Sequence, residues 1–202
     1  MSLEKIIYSA VFSGILYLDN VHVGQFLFSR PALAGIILGY INGCPVEGAQ
    51  AGIITELLLF DFVPVGGSVP PCGIAAVAIS LLLYAHTGIN LSLAFFTGIF
   101  LSVLYAKVEF FLRAYRSKWN AKIEEKIIAG EHKLYPRLIL ALITESAALS
   151  AFIATAFCFF HILFGFIKMS FIYPAADLAY SVMPWLGLSA LYFRFRTQVR
   201  KK

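Results

Sequence analysis

The stretches Gln25-Phe-Leu-Phe-Ser-Arg-Pro31, Glu56-Leu-Leu-Leu-Phe-Asp61 and Pro64-Val-Gly-Gly-Ser-Val-Pro-Pro71 decide the fold of this chain. They place an arginine, two carboxylates and a backbone broken by glycine and proline within strongly apolar sequence. From residue 6 to residue 106 the charged side chains are Asp19, Arg30, Glu47, Glu56 and Asp61. Because a charge in the hydrocarbon of a bilayer is costly, charges placed there indicate a functional site.

The composition is typical of an integral membrane protein. The chain has 202 residues, of which 60% are hydrophobic and 13% are charged, and its mean hydropathy is +0.82. Soluble domains carry about 25% charged residues, so the deficit of charge decides the class. The length suffices for one membrane domain. We therefore expect an all-α, polytopic membrane protein.

The first half of the chain consists of short apolar segments, which cover residues 6–18, 31–43, 46–60, 73–86 and 89–106. A straight crossing of a bilayer needs about 20 apolar residues, and several segments are shorter. This predicts broken or re-entrant helices, which are buried in protein or line a cavity. The alternative is a set of tilted helices that use glycine only at their contacts. Two longer segments, 138–167 and 171–193, predict a pair of C-terminal helices.

We expect four parts: an N-terminal membrane half (1–106) with the candidate site, a cytoplasmic amphipathic linker (107–137), a C-terminal transmembrane helix pair (138–195) and a basic tail (196–202). Most Lys and Arg residues lie in the linker and the tail, as the positive-inside rule expects of cytoplasmic segments. This distribution accounts for the net charge of +5 without a nucleic-acid partner.

The linker carries an apolar stripe with a spacing of four residues, formed by Tyr115, Trp119, Ile123 and Ile127. Three placements of this stripe are open. It lies on the membrane surface, docks a partner subunit, or packs on its own protein.

The chain contains none of the motifs of nucleophilic catalysis, of phosphate-binding loops or of zinc proteases. Its histidines are far apart in sequence, and Cys44, Cys72 and Cys158 have neither metal-ligand spacing nor a disulfide pattern. We therefore predict a transporter, channel or scaffold rather than an enzyme, with no cofactor and no metal site.

Glu56, Arg30 and Asp19 are the first candidate binding residues. The Glu56 carboxylate can accept hydrogen bonds from the hydroxyls of a ligand or pair with a cation. Arg30 stands directly before Pro31, at an expected helix start, and can neutralise Glu56 or Asp19. Alternatively, the Arg30 side chain extends toward lipid headgroups.

Asp61 and the Gly66-Gly67-Ser68 segment are the remaining candidates. Asp61 lies five residues after Glu56, which places it on another face of a continuous helix, and it can instead cap the turn that follows. Gly66, Gly67 and Ser68 offer backbone amides and a hydroxyl to a polar ligand. Their alternative is a tight turn, which glycine forms without strain.

Residues from about 18 to about 80 resemble the N-terminal half of subunit IIC of the mannose/fructose/sorbose-type phosphotransferase-system permeases. The Leu-Asp pair and the Phe-x-Phe-x-Arg-Pro element of that family read Leu18-Asp19 and Phe26-Leu-Phe28-Ser-Arg30-Pro31 here. Its later elements are similar to Gly35 and Gly39, to Thr55-Glu56, and to Gly66-Gly-Ser-Val-Pro-Pro71-Cys72. The order and the spacing of these elements together carry the resemblance.

The resemblance implies a multi-pass permease subunit of the bacterial inner membrane, which moves a sugar for phosphorylation by a cytoplasmic IIB subunit and carries no phosphoryl group itself. It also implies a complex with the homologous membrane subunit IID, with IIB and IIA, and an oligomer within that complex. For such a permease, the buried charges beside broken helices predict that Glu56 and Asp61 contact the sugar and that Arg30 organises the site. Asp19 is a further expected binding residue, and Gly66, Gly67 and Ser68 shape the site.

The sequence departs from the family pattern at Leu27, Cys72 and Asp61, where the family usually has a polar residue, an aspartate and a small residue. Family members also usually continue with another membrane hairpin after the position of the last expected helix. These departures keep a second hypothesis open, a scaffold or regulatory subunit that anchors phosphotransferase components without transport. A third hypothesis is an unrelated small transporter.

Overall fold

The computed structural model describes residues 3–21, 24, 26–60, 62, 68–128, 135–167 and 171–199. Across these residues it contains seven helices and no strand, which confirms the all-α prediction. The helices are α1 (Leu3–Val21), α2 (Pro31–Asn42), α3 (Pro45–Leu59), α4 (Gly73–Thr87), α5 (Leu91–Ile128), α6 (Tyr135–Phe166) and α7 (Tyr173–Val199).

Helices α2 and α3 form a tight antiparallel hairpin. A proline starts each helix, because its fixed φ suits the first turn and its missing N–H has no partner to lose there. Gly43 ends α2 with φ 82, and its N–H bonds back to the carbonyl of Tyr40. The 12 residues of α2 span only about 18 Å, well short of a bilayer core of about 30 Å.

The backbones of α2 and α3 touch through two pairs of glycines, each pair with three residues between its members. Gly35 and Gly39 of α2 face Gly48 and Gly52 of α3. A Cβ atom on Gly48 would overlap the carbonyl oxygen of Gly35, and a Cβ atom on Gly52 would overlap that of Pro31. Small residues at such spacing allow close backbone approach in membrane helices. The predicted short helices and the alternative of glycine contacts are therefore both present in one hairpin.

Helix α4 is the centre of the bundle. It packs against α1, α2, α3, α5 and α6, and every residue from Ile74 to Leu83 is buried. A helix that is apolar on all sides belongs in such a position. Its one hydroxyl in this run, Ser80, donates to the Ala76 carbonyl at 2.7 Å and so leaves no free polar group.

Helix α5 runs 38 residues without interruption. The domain boundary that we expected between residues 106 and 107 therefore falls inside a helix, and the described part of the linker, to residue 128, continues α5. The rings of Tyr115 and Trp119 contact each other with centroids 5.9 Å apart and stay exposed. Ile123 and Ile127, the other members of the predicted stripe, have side chains outside the described set.

Among the described residues, Leu91–Trp119 and Tyr135–Phe166 are helices long and apolar enough to cross a bilayer. Helix α7, the other member of the predicted C-terminal pair, is 27 residues long but includes Asp177, Arg194 and Arg196. An ion pair between Arg116 of α5 and the nearly buried Glu145 of α6 joins the two long helices.

We predict that Gly48→Ala destabilises the hairpin, because the added methyl group meets backbone atoms that cannot rotate away. The expected loss is about 1–3 kcal/mol, as for other overpacked contacts. It is measured as a lower midpoint of thermal unfolding in detergent.

Gly165→Ala in α6 is the matched control, since a Cβ atom there has no neighbour within 4 Å. Its midpoint should stay unchanged or rise slightly, because alanine favours a helix more than glycine does. Equal effects of the two substitutions would contradict the packing role assigned to Gly48.

Candidate functional site

A cavity of about 480 Å³ lies at one end of the bundle, where α2 and α4 begin and α3 ends. It is open on one side, and α1, α5 and α7 complete its wall. Its polar and reactive side chains are Tyr17, Asp19, Ser29, Arg30, Glu56, Cys72, Glu109, Arg113 and Arg194.

Glu56 joins α3 to the start of α2. Its Oε2 atom accepts a hydrogen bond of 3.1 Å from the amide of Ala32, one of the amides that a helix start leaves without an internal partner. Its Oε1 atom lies 3.9 Å from Nη1 of Arg30. The packing of α2 on α3 thus produces the Arg30–Glu56 pair that the sequence suggested.

Asp19 holds the loop before α2. Its two carboxylate oxygens accept hydrogen bonds from the amides of Phe26 at 2.7 Å and Ser29 at 3.1 Å. The amide of Arg30 also donates to the carbonyl of Leu27 at 2.9 Å, which closes a turn. Asp19 therefore fixes the backbone that carries Arg30 and does not pair with its guanidinium group.

Leu27 occupies the centre of this turn with φ 72. It is the only described residue other than glycine with positive φ, and its side chain faces the cavity. The left-handed region costs an L-residue about 1–2 kcal/mol, and asparagine tolerates it better than a leucine does. The polar residue that the resembling family usually has at this position suits the turn better than leucine.

Glu109 and Arg113 of α5 belong to the cavity, although our sequence analysis assigned Arg113 to the cytoplasmic linker and did not select Glu109. Arg113 donates through Nε, at 3.0 Å, and through Nη2 to one oxygen of the Glu109 carboxylate, whose side chain is only 6% exposed. The sequence could have indicated this ion pair, because an acidic and a basic residue four positions apart share one face of a helix.

Arg194 of α7 lines the same cavity. Its guanidinium carbon lies 5.6 Å from the centre of the Phe60 ring, in a cation–π arrangement. From the sequence we had not selected Arg194 as a site residue. Nothing in the sequence indicated that α7 would turn this residue toward the end of α3.

The structure thus places Glu56, Arg30 and Asp19 around one cavity. Asp61, Gly66 and Gly67 lie outside the described residues. Ser68 is exposed, two residues before the Pro70-Pro71 pair that lines the cavity. Among the described side chains, no group of three or more His, Cys, Asp or Glu residues is placed to hold a metal ion.

Comparison with known proteins identifies the sequence pattern and the fold. The family model described as the sorbose-specific IIC component of the phosphotransferase system matches residues 3–170. No curated protein matches the sequence. A chain in the cryo-EM structure of the mannose transporter ManYZ with microcin E492 (MceA) superimposes with a TM-score of 0.67 and 15% identity, over 97% of this chain and 81% of that chain. These matches confirm the membrane fold and the family resemblance.

We predict that Leu27→Asn raises the midpoint of thermal unfolding, because asparagine relieves backbone strain of about 1 kcal/mol in the turn. Leu27→Ala is the control, since it removes the exposed side chain but keeps the Cβ atom that causes the strain. If Leu27→Ala stabilises the protein as much as Leu27→Asn does, strain is not the cause.

Proposed function

Because this chain belongs to the family of sorbose-specific IIC components of the phosphotransferase system, we propose that it is a permease subunit that moves a sugar across the membrane for phosphorylation by a partner IIB subunit. In this proposal the sugar binds in the cavity between α2, α3, α5 and α7. Phosphoryl transfer takes place on IIB, and this chain supplies binding and passage.

The observation that carries the proposal is the position of the cavity. Three helix ends meet there, at Pro31, Leu59 and Gly73, and charged side chains line the space between them. Helix ends at membrane depth leave backbone groups available, and transporters commonly build their substrate sites from such breaks. The volume of about 480 Å³ lies within the range of small-molecule sites.

The walls offer what recognition of a sugar requires. Hydroxyl groups both donate and accept hydrogen bonds, and Glu56 supplies an acceptor while Arg30 supplies donors. Phe60 and Phe62 add apolar faces at the same mouth. We include Asp61, Gly66, Gly67 and Ser68 in the proposed site, because they connect Phe60 to the Pro70-Pro71 wall along the chain.

We propose that the cavity opens toward the cytoplasm. The mouth carries Arg113 and Arg194, and the basic linker and tail continue from these same helices. Under the positive-inside rule, residues 107–137 and the C-terminus are then cytoplasmic. This end is where a IIB subunit would meet the sugar, and its basic surface would attract an acidic partner.

The proposed complex also contains the homologous membrane subunit IID, with IIA acting on IIB, and it is oligomeric. Most of the apolar span of α6 is not covered by the rest of the chain, since only 17% of it is buried. This exposed surface supports the proposed contact with a membrane partner or with lipid. Leu138, Ile139 and Ile143 are among its exposed residues.

We predict that Glu56→Gln lowers sugar uptake by at least about tenfold in membranes containing the complete complex, since the change removes a charged acceptor that also pairs with Arg30. Glu47→Gln is the matched control. Glu47 lies in the same helix at its other end, where it accepts a hydrogen bond of 3.2 Å from the Tyr84 hydroxyl, and a glutamine oxygen can replace that acceptor.

Uptake that is equal in Glu56→Gln and in the unaltered chain would contradict the assignment of Glu56. Co-purification with IIB and IID without any uptake in the unaltered complex would overturn the permease proposal and favour the scaffold hypothesis. The departures at Leu27, Asp61 and Cys72 are what make that second outcome worth measuring.

A further inference from the structure

Three arginines from three different elements line the one cavity. Arg30 precedes α2, Arg113 lies in α5 and Arg194 lies in α7. A permease for a neutral sugar has no evident need for three guanidinium groups at the mouth of its site. Their convergence favours a ligand with negative charge. Asp19, Glu56 and Glu109 line the same cavity, so what a ligand meets depends on which of these groups face the open space.

Each arginine is held in place by a neighbour. Arg30 pairs with Glu56, and Arg113 is bound through two nitrogen atoms to Glu109. Arg194 lies over the ring of Phe60, one helical turn after Glu56. The last turn of α3 thus positions two of the three guanidinium groups, and α5 positions the third.

In both ion pairs the arginine is the partner that faces the open space. The Arg30 side chain is 53% exposed against 28% for Glu56, and Arg113 is 42% exposed against 6% for Glu109. The carboxylates are turned toward protein donors, because Glu56 binds the Ala32 amide and Asp19 binds two loop amides. A ligand entering the cavity therefore meets guanidinium groups before it meets carboxylates.

The starts of two helices add to the positive potential that the arginines create at the cavity. Helices α2 and α4 begin at Pro31 and Gly73, and both residues line the cavity. The N-terminus of a helix carries a partial positive charge of about half a unit, which favours an anion nearby. Since the ring of Pro31 also packs directly on Gly73, the two helix starts are adjacent.

We propose that the mouth of the cavity contains an oxyanion subsite that binds the phosphoryl group of a soluble phosphate monoester, with Arg30, Arg113 and Arg194 as its donors. Guanidinium groups fit phosphate oxygens with paired hydrogen bonds, which a lysine cannot reproduce. The inference rests on the proposed function, which supplies the source of this ligand. The ligand is the sugar phosphate that the partner subunit forms at this end of the protein. The subsite holds that product before release.

The test is calorimetric binding to the purified full-length chain in nanodiscs of phosphatidylcholine. The probes are mannose 6-phosphate, inorganic phosphate and mannose. We expect mannose 6-phosphate and inorganic phosphate to bind. We expect Arg30→Gln and Arg194→Gln each to weaken this binding about tenfold or more, because each substitution removes one charge-assisted hydrogen bond. Arg30→Lys should recover part of the affinity.

Arg196→Gln is the matched control, because Arg196 is exposed in the same helix as Arg194 and lies outside the cavity lining. Its affinity for phosphate should equal that of the unaltered chain. Circular dichroism and the unfolding midpoint establish that each variant is folded. Arg30 and Arg194 are chosen over Arg113, because removal of Arg113 would leave the buried Glu109 without its cation.

Binding of phosphate that is unchanged in Arg30→Gln and Arg194→Gln would overturn the subsite. The subsite would also be overturned if the chain in phosphatidylcholine bound neither mannose 6-phosphate nor inorganic phosphate and instead retained phosphatidylglycerol at this position. The anion would then be a lipid headgroup. The two proposals fail separately. Mannose binding without phosphate binding rejects the subsite alone, whereas phosphate binding in a complex that transports no sugar rejects the permease alone.

Discussion

The contact between the backbones of α2 and α3 is the constraint on which the candidate site depends. Gly35, Gly39, Gly48 and Gly52 leave no side chains between the two helices, so the end of α3 lies beside the start of α2. This register places the Glu56 carboxylate on the Ala32 amide and next to Arg30. A bulky residue at this contact would separate the carboxylate from the helix start that it completes.

The remainder of the bundle surrounds this hairpin with two different environments. On one side the buried run of α4 supplies the core of the bundle. At the cavity, α5 and α7 supply charged groups, of which Arg113 pairs with Glu109 and Arg194 lies over the Phe60 ring. Charges at membrane depth are tolerated when they are paired in this way or face a water-filled space. The bundle thus has an apolar centre and one charged end.

Much of the fold could be predicted from the sequence, because glycine and proline mark the ends of the short helices. The predicted segments 31–43, 46–60 and 73–86 agree with α2, α3 and α4 within about one residue. The isolated charges of the apolar half offered Glu56 and Asp19 as partners for Arg30, and the structure pairs it with Glu56. Glu109 and Arg113 were missed because a local rise in charge was read as the end of a membrane segment, whereas α5 continues through it. The roles of Leu27 and Arg194 depend on a backbone turn and on the packing of α7, neither of which leaves a local pattern.

The most direct test of the central claim, that sugar occupies this cavity, is protection of an introduced cysteine. Phe62→Cys places the thiol at a cavity-lining position with 56% exposure, and Tyr115→Cys places it outside the cavity, in α5 just beyond Arg113, with 59% exposure. Both are made in a variant without the natural cysteines, and both are labelled with a charged methanethiosulfonate in inside-out vesicles that contain the complete complex. We expect the transported sugar to slow labelling at Phe62→Cys and to leave labelling at Tyr115→Cys unchanged. Active transport with unchanged labelling at both positions would contradict it.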